Sequence, residues 1–333
     1  MERTGMNTEI AQIPASSAPG SAGVGSSSRL GNRVFYGFCL AGALVIAMLL
    51  ALVLWQLIQG AYPSIERYGW RFLINRTWDP PKQIYGALPF IFGTFVTAII
   101  ALLLAVPLSV GTAIYLTDLA PPKIRQPLIS LIEMLAAVPS VIWGFWGIAV
   151  LVPWLRVGVY PFLQKWFGFL PLFQGPISGV GILTAGIIVA IMILPIVTSI
   201  SREVLRSVPD LQREAAYALG ATRWEVTRIA VLSYARRGLF GAAVLGLGRA
   251  LGETMAVTML IGNAPYIGWR LFHSGDTLAS VIANQFGEAS KLDFSLSSLF
   301  ELGLVLLAVT ILINVLAQIM IRTLTTAETR RVA

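Results

Sequence analysis

Arg249 and Glu253 stand inside a run that is otherwise apolar from Leu239 to Ile261, in the stretch LGRALGETMAV. Their four-residue spacing places them one above the other on a single helix face, where guanidinium and carboxylate can pair. Each charge costs about 2.5 to 3.5 kcal/mol at the centre of a membrane helix, so the pair has to face protein or water instead of lipid. Gly248 and Gly252 adjoin it at small-xxx-small spacing, which lets another helix approach closely. One reading is structural, an internal salt bridge at a packed helix interface. The other is chemical. The planar fork of Arg donates two parallel hydrogen bonds to a tetrahedral oxyanion such as phosphate or sulfate, and it stays charged when partly dehydrated. A Glu beside it holds the Arg when no anion is present and moderates its affinity when one is. Glu133 is a further intramembrane charge, expected about two turns inside a span, where an ionised carboxylate is costly.

The elements that must position these residues are legible from composition. The chain has 333 residues, 56% of them hydrophobic and 12% charged, and the apolar residues fall in long blocks. That pattern belongs to a membrane protein. Crossing the hydrocarbon takes about 20 mostly apolar residues as a helix. Six stretches satisfy this: Val34 to Leu57, Leu88 to Leu116, Leu128 to Trp154, Gly179 to Ile200, Leu239 to Ile261 and Leu296 to Ile321. The expected fold is an all-α, polytopic membrane protein with a six-helix domain over residues 34–322. The net charge of +8 reports topology instead of nucleic acid. With both termini inside, fifteen Lys and Arg fall on inner segments and eight on outer ones, and Arg249 completes the 24.

Residues 1–33, with PASSAPGSAGVGSSS at their centre, are expected to be a disordered cytoplasmic tail, and 323–333 a second tail. The GSAGVG there is low complexity, since no Lys follows it and no strand precedes it. One Cys (Cys39) and one His (His273), far apart, argue against a dedicated metal site. The loop aromatics Tyr62, Tyr68, Trp70, Trp78, Tyr85, Tyr160, Trp166, Phe167, Tyr266 and Trp269 read mainly as interfacial anchors. In DLAPPKIRQP, residues 118–127, prolines end the second helix and restart the chain. Pro139, Gly144 and Gly147 permit a kink and close packing in the third.

Residues 201–238, between the fourth and fifth spans, are polar and periodic at once. Pro209 and Asp210 suit a first helical turn, and Gly220 supplies the left-handed position that ends the helix. Thr222 and Glu225 form a capping box that starts a second helix. A helix–turn–helix knob of this size suits insertion into a cleft on another protein, and the alternative is a solvated hairpin. Glu214 can pair with an Arg of such a partner, while Ala215 and Ala216 permit close approach. The chain contains no G-x-x-x-x-G-K-[ST] nucleotide loop, so an energy source would lie on another polypeptide.

EAAYALG, with Glu214, Ala215, Ala216 and Gly220, resembles the EAA-x-x-x-G loop of membrane subunits in ATP-binding-cassette (ABC) importers. In that family the loop is the coupling helix that docks into the ATPase. Where the family continues Ile-x-Leu-Pro, this chain has Ala230, Val231, Leu232 and Ser233. LGLGRALGETMAVTMLIGN, residues 245–263, and EMLAAVPSVIWGFWG, residues 133–147, resemble the PstC-type permeases of bacterial phosphate importers. The resemblance implies a type I ABC importer permease (MetI-like) architecture in the bacterial cytoplasmic membrane. It implies a heterodimer with a PstA-type permease, two copies of a cytoplasmic ATPase that bind the ATP and Mg, and an extracytoplasmic phosphate-binding protein. It also implies that Arg249 and Glu253 are the intramembrane charges tied to phosphate movement. Glu133 matches a family position without a comparable role. The chain is then a transport subunit with no cofactor or catalysis of its own. Two alternatives stand beside this: a permease for another oxyanion, sulfate or molybdate, and an ion-coupled carrier with Glu253 or Glu133 as proton relay.

Overall fold

The computed structural model of the chain describes residues 26–289 and 295–332. The tail expected over residues 1–33 lies outside this range up to residue 25. From Ser26 onward the chain is helical, eight residues before the expected start of the first span. The described residues form helices and loops without a strand. The helices are α1 (Ser26–Tyr68), α2 (Leu88–Leu119), α3 (Pro122–Ala136), α4 (Ser140–Phe167), α5 (Ile182–Arg206), α6 (Asp210–Ala218), α7 (Arg223–Leu251), α8 (Met255–Leu260), α9 (Leu278–Ala289) and α10 (Ser295–Val332). Six of them, α1, α2, α4, α5, α7 and α10, are long and apolar enough to cross a membrane.

The described residues up to Trp55 and those from Gln56 onward form separate compact units. In the first, α1 is exposed on every side from Gly31 to Trp55. A helix that is apolar all round has no polar face to turn to water, which is the pattern of a lipid-bathed span. In the second unit α5 is central, with Ile182, Ile188, Val189 and Ile193 fully buried. α2 packs along α5, and α7 packs against both. Glycines set these approaches: a Cβ at Gly186 would meet the side chain of Ile100, and one at Gly246 that of Val197. Gly93 of α2 admits the backbone carbonyl of Asp276 so closely that any Cβ there collides with it.

Two expected spans have different limits. The third begins at Ser140, not Leu128, because Pro139 lacks an N–H and sits in extended backbone (ψ 142°), so Leu128 to Ala136 belong to the separate helix α3. The fifth belongs to a helix that begins at Arg223, inside the expected 201–238 loop instead of at Leu239, and stops at Leu251. Gly252 has low helix propensity, and the Thr254 hydroxyl bonds the Gly252 carbonyl at 3.2 Å, offering the backbone a partner outside the helix ladder. The chain resumes as the short helix α8, which lies on α4 where Gly144 and Gly147 leave room for Met259, Ala256 and Leu260. Close packing at these two glycines is thus present.

Several loop aromatics are core residues instead of interfacial anchors. Trp78, Tyr85 and Phe90 are buried together, with edge-to-face ring distances of 4.9 and 5.0 Å. Tyr160 is fully buried, stacked on Phe272 at 4.3 Å and hydrogen-bonded to Thr184 at 2.5 Å. Trp70, Trp166 and Trp269 are exposed, as anchors require.

Candidate functional site

Arg249 lies in the last turn of α7 and Glu253 just past its end, so the helix face expected to carry both is interrupted between them. The pair forms nonetheless, with Arg249 Nη2 3.4 Å from Glu253 Oε2. Its two halves differ in environment: the Arg side chain is 48% exposed and the Glu side chain 4%. At 3.4 Å the contact is longer than a charge-assisted hydrogen bond, which runs to about 2.7–2.9 Å. The guanidinium therefore keeps most of its donors available on an open side, while the carboxylate fixes its position from below. A cation in the last turn is also favoured by the helix dipole.

Among the described residues, nothing covers the face around the pair at Gly248. A Cβ at Gly248 would meet nothing within 4 Å, and one at Gly252 only the Gly248 carbonyl at 3.7 Å. No helix of the described residues packs on these two glycines, contrary to the close approach expected from their spacing. Leu245, one turn earlier, is also exposed.

Glu133 is placed differently from the sequence reading. It lies on α3, outside the six candidate spans, with more than half of its side chain exposed. Its Oε1 stands 3.4 Å from Nη2 of Arg202, near the end of α5. The Arg202 guanidinium beside it offers the Glu133 carboxylate a counter-charge.

The EAA loop forms as its local signals require. α6 spans Asp210–Ala218, and Gly220 follows at φ +82°. The Ala221 N–H reaches the Ala216 carbonyl at 3.2 Å and the Gly220 N–H the Tyr217 carbonyl at 2.9 Å, the two bonds of a Schellman stop. The Thr222 hydroxyl accepts from the Glu225 N–H, and the Glu225 carboxylate accepts from the Thr222 N–H at 2.8 Å. Glu214, Ala215 and Gly220 are exposed and Ala216 partly so. Leu211, Tyr217, Leu219 and Trp224 are exposed around them, Leu219 to 89%. Apolar side chains so fully presented at a rigid turn are the composition of a docking surface.

Three acidic groups, one partly buried and two buried, escaped the sequence reading. Asp118, at the end of α2, pairs with Arg213 of α6 at 2.7 Å. Glu301 of α10 is buried and accepts a hydrogen bond from the Ser64 hydroxyl at 2.5 Å. Asp276 lies between α8 and α9, outside the spans. It is buried and hydrogen-bonded to the Ser280 hydroxyl and to the Thr277 N–H, at 2.9 Å for the latter. Burial pushes its carboxyl up to about 6, against the opposing pull of those two donors. Only Asp276 had a local signal, since D-T-x-x-S is a helix start and Thr277 caps α9 through the Ser280 N–H at 3.1 Å. The partners of Asp118 and Glu301 are far away in sequence.

Residues 105–327 match the family described as "Binding-protein-dependent transport system inner membrane component". The chain is 44% identical to the phosphate transport system permease protein PstC of Mesorhizobium japonicum, over 88% of this chain and 90% of that one. It is 47% identical to the PstC of Haemophilus influenzae, over 84% and 89%. It is 40% identical to a probable PstC of Methanocaldococcus jannaschii, over 82% and 88%. Among solved structures, a chain of the bacterial alginate ABC transporter shares the fold at TM-score 0.55 and 17% identity, covering 89% of this chain and 98% of that one. With six membrane-length helices, an EAA loop and this extent of identity, the chain belongs to the binding-protein-dependent inner membrane components and, among them, to the PstC permease family.

Proposed function

We propose that the chain is the PstC-type permease subunit of an ATP-driven importer of inorganic phosphate, contributing half of the path through the bacterial inner membrane. The observation that carries this reading is identity of 44–47% to PstC proteins over nearly nine-tenths of their length. The geometry at the end of α7 agrees with it. A half-exposed guanidinium steadied by a buried carboxylate offers a dianion two parallel bonds, and the neighbouring negative charge keeps the complex weak enough to release. The uncovered face at Leu245, Gly248 and Gly252 is where a PstA-type partner would complete the path as a heterodimer.

In this reading both termini and the EAA loop are cytoplasmic. Two ATPase subunits bind ATP and Mg, and their closure drives the EAA loop. An extracytoplasmic binding protein delivers phosphate from the other side. ATP-dependent uptake of labelled phosphate by the reconstituted complex, challenged with excess sulfate and molybdate, tests the substrate. Phosphate uptake undiminished by either anion is the expected result, and strong competition by one of them assigns the path to that anion instead. Uptake by the single chain driven by a pH gradient, without ATPase, would establish the ion-coupled carrier.

Glu214→Lys tests the docking role. Glu214 is exposed, so its reversal leaves folding unchanged to within about 0.5 kcal/mol. If Glu214 pairs with an Arg of the ATPase, a Lys in its place is expected to weaken copurification by about tenfold. Copurification at wild-type level would assign the loop to solvent.

A further inference from the structure

The coupling loop is tied to three spans through one ionic node. Arg213 points inward from α6. Its Nη1 donates to Asp118 Oδ1 at 2.7 Å, and its Nη2 donates to the Leu205 backbone carbonyl at 2.9 Å. The other carboxylate oxygen of Asp118 stands 3.2 Å from the Thr227 hydroxyl, whose single proton is shared between it and the Arg223 carbonyl at 3.1 Å. The four residues of the node belong to four elements: Asp118 to the end of α2, Leu205 to the end of α5, Arg213 to α6 and Thr227 to the start of α7. The Arg213 side chain is 21% exposed and the Asp118 side chain 11%, so water competes weakly for either.

No side chain of α6 is buried, so apolar packing does little to hold that helix on the spans. The Arg213 fork, with one prong on a carboxylate and the other on a carbonyl, supplies the directional fixation instead. Thr227 and Arg249 lie on one continuous helix, π-wound from Thr227 to Val231 and α-helical from Leu232 onward, roughly 30 Å apart at about 1.5 Å per residue. A push on α6 that is transmitted through the node therefore reaches the helix whose far end carries the Arg249–Glu253 pair.

We propose that Asp118 and Arg213 are a positioning pair that transmits coupling-helix movement to α2, α5 and α7, so that ATP hydrolysis and passage of the transported anion stay in step. The proposal rests on the importer reading above. Its effect is on the ratio of the two activities and not on the amount of complex formed.

The experiment uses the whole complex in proteoliposomes with its binding protein, measuring anion uptake and ATP hydrolysis on the same preparation. Asp118→Asn is expected to lower uptake per ATP hydrolysed by about tenfold, the scale on which residues along a coupling path act. Asp118→Glu, which keeps the charge, is expected to restore the ratio to within about threefold. A wild-type ratio in Asp118→Asn, or an Asp118→Glu complex as uncoupled as Asp118→Asn, overturns the proposal. If Asp118→Asn does not assemble, Arg213→Gln decides, since it removes the cation from the pair and with it the fork that reaches both Asp118 and the Leu205 carbonyl. A lowered ratio supports the node, and a wild-type ratio overturns it. The two failures are separable: a wild-type complex that takes up sulfate or molybdate instead of phosphate refutes the substrate, and the ratio is then read with that anion.

Discussion

Arg249→Gln lowers phosphate uptake by about a hundredfold or more while the ATPase still copurifies with the complex. The magnitude follows from what the fork supplies. Hydrogen bonds to a charged group are worth about 1.5–3 kcal/mol each, and two parallel ones are lost together. Each 1.4 kcal/mol is a factor of about ten. Gln retains an amide donor, two bonds shorter in reach than the Arg fork, and no charge, so both the paired bonds and the electrostatic part are forfeited. Arg249→Lys keeps the charge and loses the planar fork, and is expected to fall between wild type and Gln.

A second variant separates the chemical reading of this pair from the structural one. Arg249→Gln alone leaves Glu253, which is 4% exposed, without its cation, and an uncompensated buried charge destabilises whatever surrounds it. Adding Glu253→Gln removes that charge. If the pair serves only to pack the end of α7, the double variant recovers uptake. If Arg249 contacts the anion, recovery extends to complex yield and not to uptake. Uptake assays on the single and double variants, normalised to assembled complex, give the answer directly.

The pair also shows what a sequence can and cannot disclose about this fold. Six spans are legible because about 20 consecutive apolar residues admit no other long-range arrangement in hydrocarbon. The EAA loop is legible because its stop and start are local: Gly220 at φ +82° and the Thr222–Glu225 box act within a few residues of themselves. Span limits are less so. Apolar periodicity runs straight through Pro139 and Gly252, and only the backbone behaviour of those residues breaks the helices there. Glu133 changes element as a result, from the expected third span to α3, where its side chain is exposed. The break at Gly252 alters the reason Arg249 and Glu253 meet, from a shared helix face to a helix end, without separating them. The node at Asp118 is invisible at the level of sequence because 95 residues separate it from Arg213, and no local pattern marks either as the other's partner.

Gly220→Val weakens ATPase association by about tenfold without unfolding the spans. At φ +82° a residue with a Cβ meets the following carbonyl, at a cost of about 1–2 kcal/mol, and β-branching raises that further. No other group stands in the way, since a Cβ at Gly220 would have nothing within 4 Å, so the penalty is one of backbone conformation alone. That isolates the cause and predicts a graded series. Asn tolerates the left-handed region and should cost association about twofold, Ala more, and Val most. As φ relaxes, the two bonds that stop α6 loosen, and Thr222 is carried away from the position from which it caps the next helix. Leu219 and Trp224, which flank the turn, then no longer present one surface. Titrating the ATPase against immobilised complex for the three variants measures the series, and thermal unfolding in detergent checks the spans. An order of Asn, Ala and Val unrelated to affinity would mean that the turn geometry does not set docking. The spans should unfold at the wild-type temperature throughout, because α6 contributes no buried side chain to the core they share.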